Sequence, residues 1–236
     1  YDLYGCTNLT ALPEGMYVKG SLKVSRCQSL RALPTGLCVT EDLDLRSNMW
    51  LTALPEDCSV GGCINLSGCS SLQRLPDHLH VTGDLNLDEC NSLREIPKEL
   101  RVDGTFTLSQ NDHVTTLPPD FEAKRDVCFI ECSKLAQLPE NWHVGGNLTV
   151  RMCHALKVLP ANLEIHGDLD LSCNNELRSL PEGIKFHGGL NLLGCSNLTS
   201  LPRSLKVGGD FNLSYCHSLS STNGFPQNLY VSGHID

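Results

Sequence analysis

The residues that could do the most chemistry in this chain of 236 are its thirteen cysteines. A cysteine can bind a metal ion, form a disulfide or act as a nucleophile. Eight of them share a row of positions with three asparagines, and each position follows the previous one by 21 residues. This Cys/Asn row consists of Cys6, Cys27, Asn48, Cys69, Cys90, Asn111, Cys132, Cys153, Asn174, Cys195 and Cys216. Every third member is Asn.

A zinc site and a stack of disulfides are the functional interpretations of this row. Zinc needs four ligands that converge on one point, often including a CxxC pair, and the sequence has no CxxC. Repeats stacked about 4.8 Å apart would bring the Cα atoms close enough for a disulfide, but side chains in one row point the same way. We interpret the thiols as structural, which predicts a reducing compartment.

The cysteines outside the row do not predict catalysis. They are Cys38, Cys58, Cys63, Cys128 and Cys173. Cys58 replaces a core leucine, and Cys128 lies on the polar side of a predicted strand with no base at a suitable spacing. GxxxxGK[ST], HExxH and GxSxG motifs do not occur either. We therefore expect no enzyme activity, no catalytic residue and no cofactor.

Three histidines form a second group with chemical potential. His166 and His187 occupy equivalent positions 21 residues apart, and His143 lies near them in the repeat. Two stacked imidazoles could bind a transition metal or titrate near neutral pH. Because the spacing supplies no third ligand, we interpret them as surface histidines and expect no metal site.

The elements that position these residues follow from a 21-residue repeat. A Leu-Pro pair recurs from Leu12 to Leu201 without an insertion, with Ile96 replacing one leucine, and the consensus is L-P-x-x-L-x-V-x-G-x-L-x-L-x-x-C-x-x-L-x-x. The alternation of apolar and polar residues has the period of a β-strand, and no segment has a helical period. Only the last step, from Leu201 to Phe225, is longer, and the segment SSTNG carries its three extra residues.

The sequence thus predicts a mainly β repeat solenoid of about eleven 21-residue coils, with parallel strands and almost no α-helix. Each coil cannot bury its own leucines until a neighbour stacks on it. We expect residues 1–236 to form one domain. The first residues, YDLYGCTNLT, lack the shape of a signal peptide, and we expect this domain to be a fragment of a longer chain.

The LxLxxCxxL and LxLxxNxxL segments resemble leucine-rich repeats. The 21-residue length with Leu-Pro in each repeat is similar to the bacterial repeats of type III secreted effectors, although those usually have Asn where this chain mostly has Cys. The resemblance implies a superhelix with a concave strand face that binds a protein partner. It also implies secretion by a bacterium into a host cell and a role in virulence.

Asparagine and cysteine differ in what they can do at one position. Asn offers two N–H donors and an acceptor, whereas a thiol is a small, weak donor. We therefore interpret Asn as a stronger hydrogen-bonded tie to carbonyl groups of the turn, inserted at every third coil. The resulting 63-residue rhythm indicates duplication of a three-coil unit.

Two rows of side chains are predicted on the strand face. The first face row reads Ser21, Asp42, Cys63, Asp84, Thr105, Asp126, Asn147, Asp168, Gly189 and Asp210. The second face row reads Lys23, Asp44, Asn65, Asn86, Thr107, Cys128, Thr149, Asp170, Asn191 and Asn212. Both rows are rich in carboxylates and amides, and turn chemistry without a ligand is the alternative to binding. The predicted partner-binding residues are Asp42, Asp44, Asp84, Asn86, Asp126, Ile130, Asp168, Asp170, Asn191, Asp210 and Asn212.

One coil, residues 118–132, departs from the consensus. It has Ala123 for Val and Arg125 for Gly, and Ile130 stands at a mostly polar position. Ile130 and Phe121 would place apolar contact beside charge, as at interface hot spots. A repeat that has drifted and repacked around larger residues is the alternative.

The composition and the repeat together predict a protein-recognition module. The net charge of -9 disfavours nucleic acid, and no apolar run is long enough to cross a membrane. A structural or adhesion solenoid without a dedicated partner is the first alternative, and an enzyme with a pocket at residues 118–132 is the second.

Overall fold

The repeat folds into a β-solenoid of 21-residue coils with parallel strands, as predicted. The computed structural model describes residues 1–220 and 224–236. The predicted three-residue insertion in the segment 220–224 falls largely on residues 221–223 and so lies outside the described residues. The part of the chain that is described contains no helix with the length and apolar character that crossing a membrane requires.

The strands are numbered β1 to β21 in chain order, and two short strands alternate along the repeat. Odd-numbered strands come from the consensus segment before the glycine, and even-numbered strands from the segment after it. The odd strands are β1 (Tyr17–Val18), β3 (Cys38–Val39), β5 (Ser59–Val60), β7 (His80–Val81), β9 (Arg101–Val102), β11 (Glu122–Ala123), β13 (His143–Val144), β15 (Glu164–Ile165), β17 (Lys185–Phe186), β19 (Lys206–Val207) and β21 (Tyr230–Val231). The even strands are β2 (Leu22–Lys23), β4 (Leu43–Asp44), β6 (Ile64–Asn65), β8 (Leu85–Asn86), β10 (Phe106–Ser109), β12 (Val127–Ile130), β14 (Leu148–Arg151), β16 (Leu169–Asp170), β18 (Leu190–Asn191) and β20 (Phe211–Asn212).

The even strands form one parallel sheet of ten strands in chain order, whereas the odd strands form four separate small sheets. Three of the small sheets have three strands, and their middle strands are β3, β9 and β15. These middle strands belong to the coils of Asn48, Asn111 and Asn174. The 63-residue rhythm of the sequence is therefore also a rhythm of the fold.

The core lies between the two kinds of sheet and is one continuous apolar cluster. Within the coil of β4, Leu43 and Leu45 are fully buried, while Asp42, Asp44 and Arg46 point outward. Burial of each such leucine contributes about 1.5–3 kcal/mol, so stacking of coils supplies the stability that a single coil lacks.

Each coil leaves the main strand through a residue in the left-handed backbone region, directly before the Cys/Asn row. The φ values at this position lie between 53° and 74°. Three of these residues are Gly5, Gly68 and Gly194, and the others are Arg26, Ser47, Glu89, Gln110, Glu131, Met152, Cys173 and Tyr215. A residue with a side chain is strained there by about 1–2 kcal/mol.

The Cys/Asn row points into the solenoid and donates hydrogen bonds to backbone carbonyl groups, as predicted. Six thiols lie 3.1–3.3 Å from the carbonyl oxygen 24 residues earlier, as Cys69 Sγ does from Leu45. Asn48 Nδ2 and Asn174 Nδ2 donate to the corresponding oxygens, at 2.9 and 2.6 Å. Cysteine and asparagine exchange at this position because both can donate to the same group.

Asparagine makes the additional hydrogen bonds that the sequence predicted. Besides Val150 O, Asn174 Nδ2 donates to Leu171 O at 2.7 Å, and Asn174 Oδ1 accepts from Cys153 N at 2.9 Å. Asn48 repeats this pattern two units earlier. The interpretation of Asn as the stronger tie is confirmed.

Candidate binding face

The candidate site is the strand face, which we define as the side of the ten-stranded sheet that points away from the core. All eleven predicted partner-binding residues lie on it, at the positions that strand alternation requires. All of them except Ile130 accept a hydrogen bond from a backbone N–H group.

The aspartates of the first face row bond to the next coil. Oδ1 of Asp42, Asp84, Asp126 and Asp168 accepts a hydrogen bond of 2.7–2.8 Å from the backbone N–H of the residue 21 positions later. Asp210 Oδ1 accepts in the same way from His234 N at 2.9 Å. The row thus links consecutive coils. This supports the alternative that its carboxylates stabilise the turns and bind no ligand.

The same carboxylates explain the repeated glycine. A Cβ atom on Gly62, Gly83, Gly104, Gly146, Gly167, Gly188 or Gly233 would lie 2.1–2.6 Å from a side-chain atom of the preceding coil's first-row residue. Two coils lack this glycine and carry Glu41 and Arg125, and their predecessors in the first face row are Ser21 and Thr105. Arg125 can therefore replace glycine in its coil, because Thr105 places no carboxylate next to the Cβ atom of Arg125.

The Asp and Asn residues of the second face row are the last residues of their strands. Oδ1 of Asp44, Asn65, Asn86, Asp170, Asn191 and Asn212 accepts from the backbone N–H two residues later, at 2.9–3.1 Å. This Asx turn takes that N–H out of the ladder between coils. In all six coils the corresponding strand has only two residues.

In coils with an Asx turn, the Cys/Asn row supplies a donor that the ladder between coils lacks, whereas Cys27 and Cys132 donate in coils without an Asx turn. When Asn191 captures the N–H of Leu193, the carbonyl of Leu171 in the preceding coil lacks a ladder donor, and Cys195 Sγ lies 3.1 Å from it. Asp170 and Asn174 show the same relation toward the carbonyl of Val150. The second face row and the Cys/Asn row are therefore two parts of one hydrogen-bonding device.

The middle of the strand face lacks this device. Thr107, Cys128 and Thr149 occupy the second face row there, and β10, β12 and β14 extend to four residues. Asn111, which belongs to the Thr107 coil, turns its amide to Cys90 O and Leu93 O, at 2.8 and 2.9 Å. The longer strands carry a third row of outward side chains, which includes Ile130 and Arg151.

Buried polar atoms without a partner lie in this central region and in the coils on either side of it. Among the described residues they are Asp88 Oδ1, Thr107 Oγ1, Arg151 Nε and Ser172 Oγ. We call these four residues the central patch. Ser172 is fully buried, and Arg151 Nε lies 3.9 Å from Asp170 Oδ2, which is too long for a hydrogen bond. Unsatisfied groups of this kind cost about 1–3 kcal/mol each. Because the four atoms have almost no accessible surface, a ligand would pair with them only after their side chains turn outward.

A groove of about 770 Å³ lies beside the central patch on the strand face. Five of the predicted residues line it, namely Asp168, Asp170, Asn191, Asp210 and Asn212. The other six, Asp42, Asp44, Asp84, Asn86, Asp126 and Ile130, lie on earlier coils of the same face. The sequence analysis did not predict Arg151 or Ser172 as binding residues. The signal that could have located this region is the absence of Asp and Asn at positions 107, 128 and 149.

The coil of residues 118–132 packs differently from the prediction. Phe121 is buried, not an interface residue, because its ring packs edge-on against Phe106 with centroids 5.0 Å apart. Trp142 Nε1 donates to Phe121 O at 3.1 Å from the next coil. The repacked repeat is the interpretation that these contacts support for Phe121, whereas Ile130 is half-buried on the strand face.

Cys128 does not share a pocket with the irregular turn. A cavity of about 420 Å³ next to Phe121 is lined by Trp142, His143 and His166, on the side of the odd strands. Cys128 lies on the opposite strand face, and burial raises the pKa of its thiol to about 11. A thiol with this pKa is almost fully protonated at neutral pH and is a poor nucleophile.

All thirteen cysteines lie in the described part of the chain, and all have free thiols. Seven cysteines of the Cys/Asn row are buried, whereas Cys6 is exposed. Burial raises the pKa of Cys69 and of Cys195 to about 12. Cys58 is partly buried against the core, as its replacement of a leucine predicted.

The chain matches no known protein-family model and no curated protein sequence.

Proposed function

We propose that the chain is a protein-recognition module that binds a polypeptide segment across the central patch and the adjoining groove. The observation that carries this proposal is the group of buried, unpartnered atoms of Asp88, Thr107, Arg151 and Ser172. The rest of the strand face uses its polar atoms to join coils, whereas these four atoms have no hydrogen-bond partner within the chain, and their side chains would turn outward to meet a bound segment.

The chemistry of the central patch suits a polypeptide. Arg151 Nε is a donor, Asp88 Oδ1 is an acceptor, and the Thr107 and Ser172 hydroxyls can be either. A peptide presents N–H and C=O groups in alternation, and these match a surface that offers both kinds. Ile130 adds an apolar contact between the polar groups. The net charge of -9 favours a neutral or basic segment over nucleic acid.

We further propose that the module is a leucine-rich repeat domain of the bacterial effector kind. The Leu-Pro repeat and the parallel coils support this assignment, and the free buried thiols suit a reducing cytosol. In this proposal the chain itself performs no catalysis and requires no cofactor.

The test compares two arginines at the same position of the repeat. Arg151 belongs to the central patch, whereas Arg46 lies five coils earlier and pairs with Asp44 through Nη2 and Oδ2 at 2.7 Å. A genetically encoded photo-crosslinker at position 130 captures bound proteins from eukaryotic cytosol. The captured protein is then purified, and its Kd is measured for the wild type, Arg151→Glu and Arg46→Glu.

We expect Arg151→Glu to weaken binding strongly and Arg46→Glu to leave it nearly unchanged. Equal affinity of all three chains, or capture of no protein at position 130, would exclude the central patch as the docking surface. A glycan or nucleic acid as the captured molecule would contradict the proposed class of partner.

A further inference from the structure

The odd strands carry a second group of polar residues, away from the strand face. His143, Glu164 and Lys185 stand in register on β13, β15 and β17, and all three point outward. His166 and His187 follow Glu164 and Lys185 by two residues, so the two histidines are neighbours on adjacent coils. Two rows of the repeat thus bring three imidazoles and one carboxylate together.

The donor atoms of this group are close to one another. One ligand atom from each of Glu164, His166 and His187 lies within 4.8 Å of the other two. The His166 and His187 rings are 5.7 Å apart at their centroids, and His166 Nε2 is 4.0 Å from Glu164 Oε1. His143 Nε2 lies 3.6 Å from Glu164 Oε2 on the other side of the carboxylate.

We propose that Glu164, His166 and His187 bind a divalent transition-metal ion, with His143 available as a fourth ligand. Imidazole and carboxylate ligands favour zinc, nickel, cobalt or copper over magnesium and calcium. Bonds of about 2.0–2.2 Å place the ligands of a tetrahedral ion about 3.3–3.6 Å apart. Binding therefore requires the exposed histidine side chains to rotate from the present separations of up to 4.8 Å.

Lys185 competes with the metal ion in this arrangement. Its Nζ lies 3.6 Å from Glu164 Oε2, so the carboxylate pairs with an ammonium group when no metal is bound. A metal ion must displace this ammonium group and would then repel it. Removal of Lys185 should therefore increase metal affinity, whereas an ion-pair cluster with no metal function predicts no such gain.

The site would join three consecutive coils. Its ligands come from β13, β15 and β17 or directly follow them, and these strands form one of the three-stranded sheets. An ion that binds only when these coils are folded raises the stability of the folded chain by mass action. The proposed role is a metal clamp on residues 143–187.

The chain contains a matched control at the equivalent position of another unit. His80 lies 63 residues before His143, and its Nε2 is 3.1 Å from Asp103 Oδ2, with Lys124 Nζ also close to Asp103. This group has one histidine and one carboxylate beside the lysine. His80→Ala should therefore leave the site unaffected.

The experiment titrates the full chain with Ni²⁺ by calorimetry under reducing conditions. We expect Glu164→Gln and His187→Ala to weaken binding by at least about tenfold, since even outer-shell partners of metal sites act on that scale. Lys185→Ala should strengthen binding, and His80→Ala should match the wild type. A melting temperature that rises with Ni²⁺ in the wild type but not in His187→Ala would support the clamp.

A separate titration with Co²⁺, followed by NMR, addresses the free thiols. Paramagnetic broadening that starts at the ring signals of His166 and His187 supports the site. Broadening that starts at Cys6, the exposed thiol, would overturn it, as would equal Ni²⁺ affinity of wild type, Glu164→Gln and His187→Ala. Weaker binding by Lys185→Ala would also contradict the proposed competition.

Discussion

Replacement of Asn174 by alanine should destabilise the solenoid more than loss of a neighbouring cysteine. The Asn174 side chain is fully buried and serves three backbone groups. Without it, Val150 O loses its donor at 2.6 Å, and Cys153 N–H loses its acceptor at 2.9 Å. Leu171 O keeps a partner, because Cys195 Sγ lies 3.1 Å away.

Two orphaned groups set the expected magnitude. Each unsatisfied buried group costs about 1–3 kcal/mol, so Asn174→Ala should lower the free energy of unfolding by about 2–6 kcal/mol. For a chain of this length that loss corresponds to a decrease in Tm of about 4–24 °C. Cys195→Ala removes one weak donor from Leu171 O, which still accepts from Asn174, and should cost only about 1–2 kcal/mol.

Asn174→Cys tests whether cysteine can replace asparagine at position 174, as cysteine occupies the equivalent position in other coils. A thiol at position 174 can donate to Val150 O, as Cys195 does to Leu171 O. Cys153 N–H would still lack the acceptor that it loses in Asn174→Ala. We therefore expect Asn174→Cys to lose about half of what Asn174→Ala loses.

The assay is urea unfolding under reducing conditions, followed by circular dichroism and by the fluorescence of buried Trp142. Coincident transitions would justify a single free energy of unfolding for each variant. The reasoning is refuted if Asn174→Ala is no less stable than Cys195→Ala. It is also refuted if Asn174→Cys is as unstable as Asn174→Ala.

Further predictions concern the glycine, the thiols and the left-handed turns. Gly146→Ala should destabilise strongly because its Cβ would lie 2.2 Å from Asp126 Oδ1, and in a double-mutant cycle Asp126→Ser should reduce that penalty. An alkylating reagent at neutral pH should modify exposed Cys6 first and Cys69 only after unfolding, as peptide mass spectrometry would show. Because the pKa of folded Cys69 is raised from its ordinary value of 9.0 to about 12, stability should be unaffected below about pH 9 and fall above it, by about 1.4 kcal/mol per pH unit for this thiol. Urea unfolding of wild type and Cys69→Ala between pH 8 and pH 11 would measure the difference in slope. Tyr215→Gly should raise the melting temperature, because Tyr215 is exposed and its φ is 63°, and an unchanged or lower Tm would contradict strain at this turn.

The repeat was predictable because its signals are local. The alternation of apolar residues, the Leu-Pro pair and the 21-residue spacing each lie within one coil, and together they require a stack of parallel strands. The inward direction of the Cys/Asn row follows from the same alternation. A stronger role for Asn than for Cys follows from the number of its donors and acceptors.

The functions of single polar residues were not predictable in the same way, because their partners lie in neighbouring coils. Asp126 bonds to Asn147 N, and the effect of Thr105 appears only at Arg125. The proximity of Glu164 to His166 and His187 was not predicted, because Glu164 belongs to a different row of the repeat. The spacing within each row was visible in the sequence, but the distance between rows depends on how the coil closes.

The strand face shows how one row of a repeat controls the length of its strands. Where an Asx residue occupies the second face row, the strand ends early, and the face residues of that coil are engaged in joining backbone groups. Where Thr107, Cys128 and Thr149 replace it, the strands lengthen to four residues and expose a third row that includes Arg151. The same substitutions leave Thr107 Oγ1 and Arg151 Nε without partners. Removing one structural side chain from consecutive coils therefore lengthens the strands there, and the position of the longer strands along the solenoid is set by which coils lack it.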